Sequence, residues 1–142
     1  CDTGFAPIKS LIEQALALQP REGPFHELRG VASARLDRPA ESINSVNRAI
    51  AANQDFFRPY LFRGKLHLER GNLEIAEQDL SASNRLLPTA DATFGLGEIA
   101  QLQGDARTAL RRYRAVANSR SSLAPAARER IARLGSGATT TP

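Results

Sequence analysis

Residues 59–89 read PYLFRGKLHLERGNLEIAEQDLSASNRLLPT, and the same register returns on both sides of them. Thirty-four residues upstream lies PFHELRGVASARLDRPAESINSVNRAIAANQD (24–55), with Gly30 on Gly64 and Ala49 on Ser83. Thirty-three residues downstream lies TFGLGEIAQLQGDARTALRRYRAVANS (93–119), with Gly97 on Gly64 and Gly104 on Gly71. A half copy, FAPIKSLIEQALALQPREG (5–23), sets Ala15 and Pro20 thirty-four residues before Ala49 and Gln54. A fixed period in the thirties marks stacked two-helix units that bury a shared core. The expected fold is all-α, a right-handed α-solenoid of antiparallel helix pairs, and catalysis is not expected of it.

Helix limits follow from stop and start signals. The opening helix is expected over 7–18, apolar at Ile8, Leu11, Ile12, Ala15 and Leu16 and stopped by Pro20 and Gly23. Further helices are expected over 24–36 and 39–52, where Pro39 suits a first turn that needs no N–H. The next pair spans 57–70 and 73–86, turning at Gly71-Asn72 and ending at Pro88. The last pair spans 90–103 and 106–118, turning at Gly104-Asp105. A helix over 123–134, polar at Arg128, Glu129 and Arg133, suits a cap on which nothing stacks. The domain is thus read as 1–134: a half repeat at 7–20, repeats at 23–54, 57–88 and 90–119, and a capping helix at 123–134. Residues 135–142, GSGATTTP, carry no core-forming side chain and are expected to be disordered.

Composition agrees with one helical domain. The 142 residues are 42% hydrophobic but only 6% aromatic, with no Trp or Met, and alanine supplies much of the apolar content. Small residues let helix axes approach closely. No run of about 18 apolar residues is present to cross a membrane. Arginine outnumbers lysine 17 to 2, and the net charge is +4. The charge is uneven: residues 105–133 hold eight arginines against Asp105 and Glu129, a net of +6, which leaves −2 for the rest. Such an end suits acidic protein or anionic lipid, or simply keeps terminal helices soluble. Nucleic acid ranks last, since only Tyr113 could stack on a base.

The recurring small residues resemble those of tetratricopeptide repeats. That pattern has a small residue inside the first helix, Gly at the turn, a small then a large residue in the second helix, then Ala, then Pro. The third repeat here has Gly64, Gly71, Ala76, Leu80, Ser83 and Pro88; the fourth has Gly97, Gly104, Ala109, Tyr113 and Val116. The second departs, with Asp37 at the turn, Ser42 for Ala and Gln54 for Pro. The resemblance covers residues 7–134 and implies a protein-binding solenoid. The runs EQALALQPREGPFHELRG, NRAIAANQDFFRPYLFRG and, above all, LLPTA before GLGEIA are also similar to the C-terminal repeat domain of BepA-like periplasmic zinc metalloproteases. That similarity implies a substrate- or partner-docking domain in the bacterial periplasm or cell envelope, whose catalytic HExxH helix would precede the repeats. A cytoplasmic location stays open as the alternative.

No catalytic or metal set is found in the chain. His26-Glu27 begins an HExxH pattern, but Gly30 stands where its second histidine should be, and His67 is 41 residues from His26. The glycines of GLGEIAQLQG mimic a nucleotide loop without a preceding strand, and Gly97 is better read as a helix contact. Glu74 and Glu77 are expected on a solvated face. No cofactor is expected. The lone cysteine, Cys1, fits either a lipid-modified N-terminus or a cut through a longer protein, and the half repeat favours the cut. The apolar stripe of the opening helix exceeds what one neighbour covers. It would be covered by a preceding helix or by a second copy, giving a homodimer through the half repeat.

Function is expected in a concave groove lined by the first helix of each pair. Helical spacing selects Glu27, Val31, Ala34 and Arg35 in the second repeat. It selects Arg58, Leu61, Phe62, Lys65, Leu68 and Glu69 in the third, and Asp91, Phe94, Glu98 and Gln101 in the fourth. This mixture suits an extended peptide or a partner helix. Phe62 and Phe94 read equally as core residues. Some tetratricopeptide repeats clamp a peptide's terminal carboxylate with a Lys/Asn/Arg set. That set is not reproduced here, although Arg35, Arg58 and Lys65 could form a partial anion site. The alternatives to a protease docking domain are a lipid-anchored scaffold in envelope assembly and a self-association module.

Overall fold

The computed structural model describes residues 39–137. They form six α-helices: α1 (Pro39–Ala52), α2 (Phe57–Glu69), α3 (Leu73–Leu86), α4 (Ala90–Leu102), α5 (Ala106–Ala117) and α6 (Ala124–Gly135). There is no strand among the described residues. The chain divides into two compact units between Arg63 and Gly64, inside α2. The opening helix, the helix expected over 24–36, the half repeat and residues 138–142 lie outside the described residues.

In the first unit, α1 buries Ser42, Ser45, Val46 and Ala49, a stripe at the spacing of one helix face. Ser42, Val46 and Ala49 hold the register positions of Ala76, Leu80 and Ser83, so the departure from Ala at position 42 leaves the packing pattern intact. The Arg63 guanidinium donates to Asn47 Oδ1 at 2.9 Å, tying α1 to α2, and lies 6.0 Å from the Tyr60 ring centroid.

In the second unit, successive helices pack on one another: α3 on α4, α4 on α5, α5 on α6. The repeated small residues sit at the closest approaches. A Cβ on Gly64 would lie 2.8 Å from Leu80 Cγ, and one on Gly97 would lie 2.8 Å from Tyr113 Cε1. Gly64 and Leu80 thus form the same contact in one pair that Gly97 and Tyr113 form in the next. A third glycine, Gly95, brings α4 against the other side of Leu80, where its Cβ would lie 2.7 Å from Leu80 Cδ1.

The turns within the α2–α3 and α4–α5 pairs are alike. Gly71 and Gly104 adopt φ of +75° and +83°, the left-handed region that glycine enters without a steric cost. The next N–H closes each helix end: Asn72 N–H donates to His67 O and Asp105 N–H to Ala100 O, both at 2.9 Å. Asp105 then caps α5 by accepting from Thr108 N–H at 3.0 Å, and hydrogen bonding from the Thr108 side chain, then from its backbone, holds the Asp105 carboxyl below the usual range. Thr89 caps α4 in the same way, accepting from Ala92 N–H at 3.2 Å.

Around α5 the core consists of Ala100, Ala109, Tyr113, Val116, Ala117 and Ala127, with Phe94, Leu123, Ile131 and Leu134 packed against it. Helix α6 covers this core with Ala124 and Ala127 and exposes Arg128, Glu129 and Arg133, as a terminal helix should. It runs one residue further than the spacing suggests. Gly135, placed by sequence in the tail, is helical, because Ser136 N–H still finds Ala132 O at 3.1 Å and its hydroxyl donates to Arg133 O at 3.0 Å. Conversely α2, α4 and α5 each end one residue earlier than expected, where the closing turn takes over.

Candidate functional site

Helices α2 and α4, the first members of their pairs, together with α6 enclose an open concavity of ≈ 900 Å³ in the second unit. From α2 come Lys65, Leu68 and Glu69, one turn of one face. From α4 come Asp91, Phe94, Gly95, Glu98, Gln101 and Leu102, which recur every three or four residues and so share a face as well. Leu123, just before α6, and Arg130 within it form the far wall. The floor is apolar, with Leu68, Phe94 and Leu123 half-buried, and Leu102 is 66% exposed at the rim.

Two ion pairs cross the concavity. Lys65 Nζ lies 3.4 Å from Asp91 Oδ1, joining α2 to α4. Arg130 Nη2 donates to Glu98 Oε1 at 2.9 Å, joining α6 to α4 across 32 residues of sequence. Burial pushes the Glu98 carboxyl above the usual carboxylate range, and Arg130 and Lys65 only partly offset it. Glu69 is exposed and has no ion-pair partner among the described residues. Three carboxylates face two cations, and both cations are paired.

The core holds the groove's remaining polar group. Tyr113 donates its hydroxyl to Gln101 Oε1 at 2.8 Å, and its ring lies 5.3 Å from that of Phe94. Burial raises the Tyr113 phenol to about 12, so it stays a donor across the physiological range. Phe94 both packs on the core and lines the concavity. Among the described residues no three His, Cys, Asp or Glu gather where a metal ion could be held, and no helix is long and apolar enough to cross a membrane.

Of the residues selected by helical spacing, the structure brings together Lys65, Leu68, Glu69, Asp91, Phe94, Glu98 and Gln101. Arg58, Leu61 and Phe62 belong to the other unit and do not line this concavity. Glu27, Val31, Ala34 and Arg35 lie outside the described residues. Of the partial anion site expected from Arg35, Arg58 and Lys65, Arg35 lies outside the described residues, and the Lys65 ammonium faces Asp91. Helical spacing missed Gly95, Leu102, Leu123 and Arg130. Leu102 follows Glu98 by one turn and was legible from the same spacing. Arg130 gave no signal, since its helix reads as a cap and its partner Glu98 is remote in sequence.

No protein-family model matches the chain. Hsc70-interacting protein 1 of Drosophila melanogaster is 32% identical to it over 77 residues, which are 54% of this chain and 20% of that protein. The chain spans about a fifth of the length of the curated relatives it matches. Among solved structures, the Cut9–Hcn1 hetero-tetramer of the APC/C is similar with a TM-score of 0.80 and 20% identity, over 95% of this chain and 27% of that one. The first TPR of Spaghetti (RPAP3), bound to the HSP90 peptide SRMEEVD, is similar with a TM-score of 0.68 and 23% identity, over 72% of this chain and 82% of that one. The fold is that of the tetratricopeptide repeats, an α-solenoid of antiparallel helix pairs.

Proposed function

We propose that the chain is a non-catalytic protein-binding module that takes an extended peptide or partner segment in the groove between α2, α4 and α6. One observation carries this reading: consecutive first helices present an apolar floor with charged groups along its edges, in an open trough. Such a trough offers anchors for side chains and polar groups for register. The peptide bound by the first TPR of Spaghetti, and the likeness to an Hsc70-interacting protein of Drosophila melanogaster, support the same class of function. A random decapeptide library displayed on phage and panned on the full chain tests it. Leu102 is exposed, so Leu102→Ser leaves folding intact while removing an anchor. Selected peptides should bind that variant roughly tenfold more weakly. Binders indifferent to Leu102→Ser would remove the groove from the reading.

We further propose, on the segment LLPTA before GLGEIA, that the module serves as the docking domain of a periplasmic zinc metalloprotease in the bacterial envelope. Sequence of the parent gene upstream of Cys1 decides this. An HExxH helix is expected there, whereas a lipoprotein signal ending at Cys1 would instead make the chain a lipid-anchored scaffold.

A further inference from the structure

We infer that the groove selects a peptide segment in which apolar side chains alternate with Lys or Arg, and that it rejects acidic segments. This rests on the groove being the binding site. The charge arrangement carries it. Both groove cations are already engaged, Lys65 with Asp91 at 3.4 Å and Arg130 with Glu98 at 2.9 Å. An incoming carboxylate must therefore compete with Asp91 or with the half-buried Glu98 for a cation that already has a partner. Sharing a cation between two carboxylates sets like charges side by side, and at Glu98 it does so where the carboxylate is already partly desolvated. A cationic side chain meets no such obstacle. Glu69 is exposed on the α2 edge with no ion-pair partner among the described residues, and the groove carries one more carboxylate than cations. The floor of Leu68, Phe94 and Leu123 takes the intervening apolar side chains. The exposed α5 arginines Arg107, Arg111 and Arg114 lie outside the lining of the groove.

The panned decapeptides should be enriched in Lys and Arg and depleted in Asp and Glu. Two defined probes sharpen the test, the acidic heptapeptide SRMEEVD and its charge-reversed counterpart SRMKKVK, each fluorescently labelled and titrated into the full chain. The cationic probe should bind roughly tenfold or more tightly than the acidic one, by an advantage that shrinks as salt is raised. Glu69 is exposed, so Glu69→Lys should fold normally while weakening the cationic probe about fivefold or more and narrowing the gap between the two. Acidic or neutral library binders that are weakened by Leu102→Ser would overturn the charge preference and leave the groove as the site. Cationic binders unaffected by Glu69→Lys would overturn it too, since their charge would be read elsewhere. A dimer by light scattering that Leu102→Ser dissolves and SRMKKVK competes would make the occupant a second copy of the chain, not a peptide of this class. A library with no binders would overturn the groove reading and this inference together.

Discussion

The α2–α3 and α4–α5 pairs share one register but fill it differently. In the first, Leu80 lies between Gly64 and Gly95 and makes only apolar contacts with them. In the second, Tyr113 takes the same place against Gly97 and sends its hydroxyl on to Gln101, a groove residue. One step along, Ser83 buries a hydroxyl with no hydrogen-bond partner among the described residues where Val116 buries methyl groups. Next to the packing glycines, Lys65 in one pair corresponds to Glu98 in the other, and each anchors one of the two groove ion pairs. The positions that bring helices together differ in shape and in hydroxyl content but carry no charge. The positions beside them are free to differ in charge, and that is where recognition is built.

The largest expected effect breaks the packing half of this comparison. Leu80 is fully buried between two glycines, so Leu80→Ala should cost about 2–5 kcal/mol in urea unfolding. Gly64→Ala alone should cost about 1–3 kcal/mol, because its Cβ would press on Leu80 Cγ and, at 3.1 Å, on the backbone nitrogen of Leu80. In the Leu80→Ala background the same methyl enters the vacated space, and its cost should fall by at least about 1 kcal/mol. Strict additivity would mean that Gly64 is not held small by Leu80.

This packing register was legible because it depends on contacts repeated at a fixed period. Gly64, Ala76, Leu80 and Ser83 face Gly97, Ala109, Tyr113 and Val116 in sequence as they do in space, and Ser42, Val46 and Ala49 keep the same places in α1. The groove was legible only where it too follows the period, on α2 and α4. Its far wall comes from α6 and the turn before it, which belong to no repeat, so Leu123 and Arg130 had no counterpart by which to be recognised. Gly95 escaped for a related reason. It packs against the helix of the preceding repeat, a contact that the pairing within a single repeat does not reveal.

A smaller effect should come from the mismatch between Ser83 and Val116. The Ser83 hydroxyl is buried without a partner among the described residues, which leaves its desolvation uncompensated. Ser83→Ala removes that penalty and very little volume, so it should stabilise the chain by about 1 kcal/mol. Val116→Ser, which creates the same defect in the other pair, should destabilise by about 1–3 kcal/mol. If Ser83→Ala is destabilising, the hydroxyl has a partner, and the two register positions are each suited to their own residue.

The smallest effect separates the two groove charges next to the packing glycines. Lys65 is half exposed, whereas the Glu98 side chain is 27% exposed and burial raises its pKa despite Arg130 and Lys65. A carboxyl that holds its proton more tightly when folded adds stability in full below its unfolded pKa. That contribution is lost as pH rises through the higher folded value. Glu98→Gln carries no charge at any pH and still offers Arg130 an oxygen acceptor. The stability of this variant relative to the native chain should therefore improve as pH is raised from 4 to 7, as measured by urea unfolding at each pH. A relative stability that instead falls over this range would show that attraction to Arg130 outweighs the burial of Glu98. The Glu98–Arg130 pair would then be a stabilising strut between α4 and α6, and the carboxylate would be kept for the fold rather than for what the groove binds.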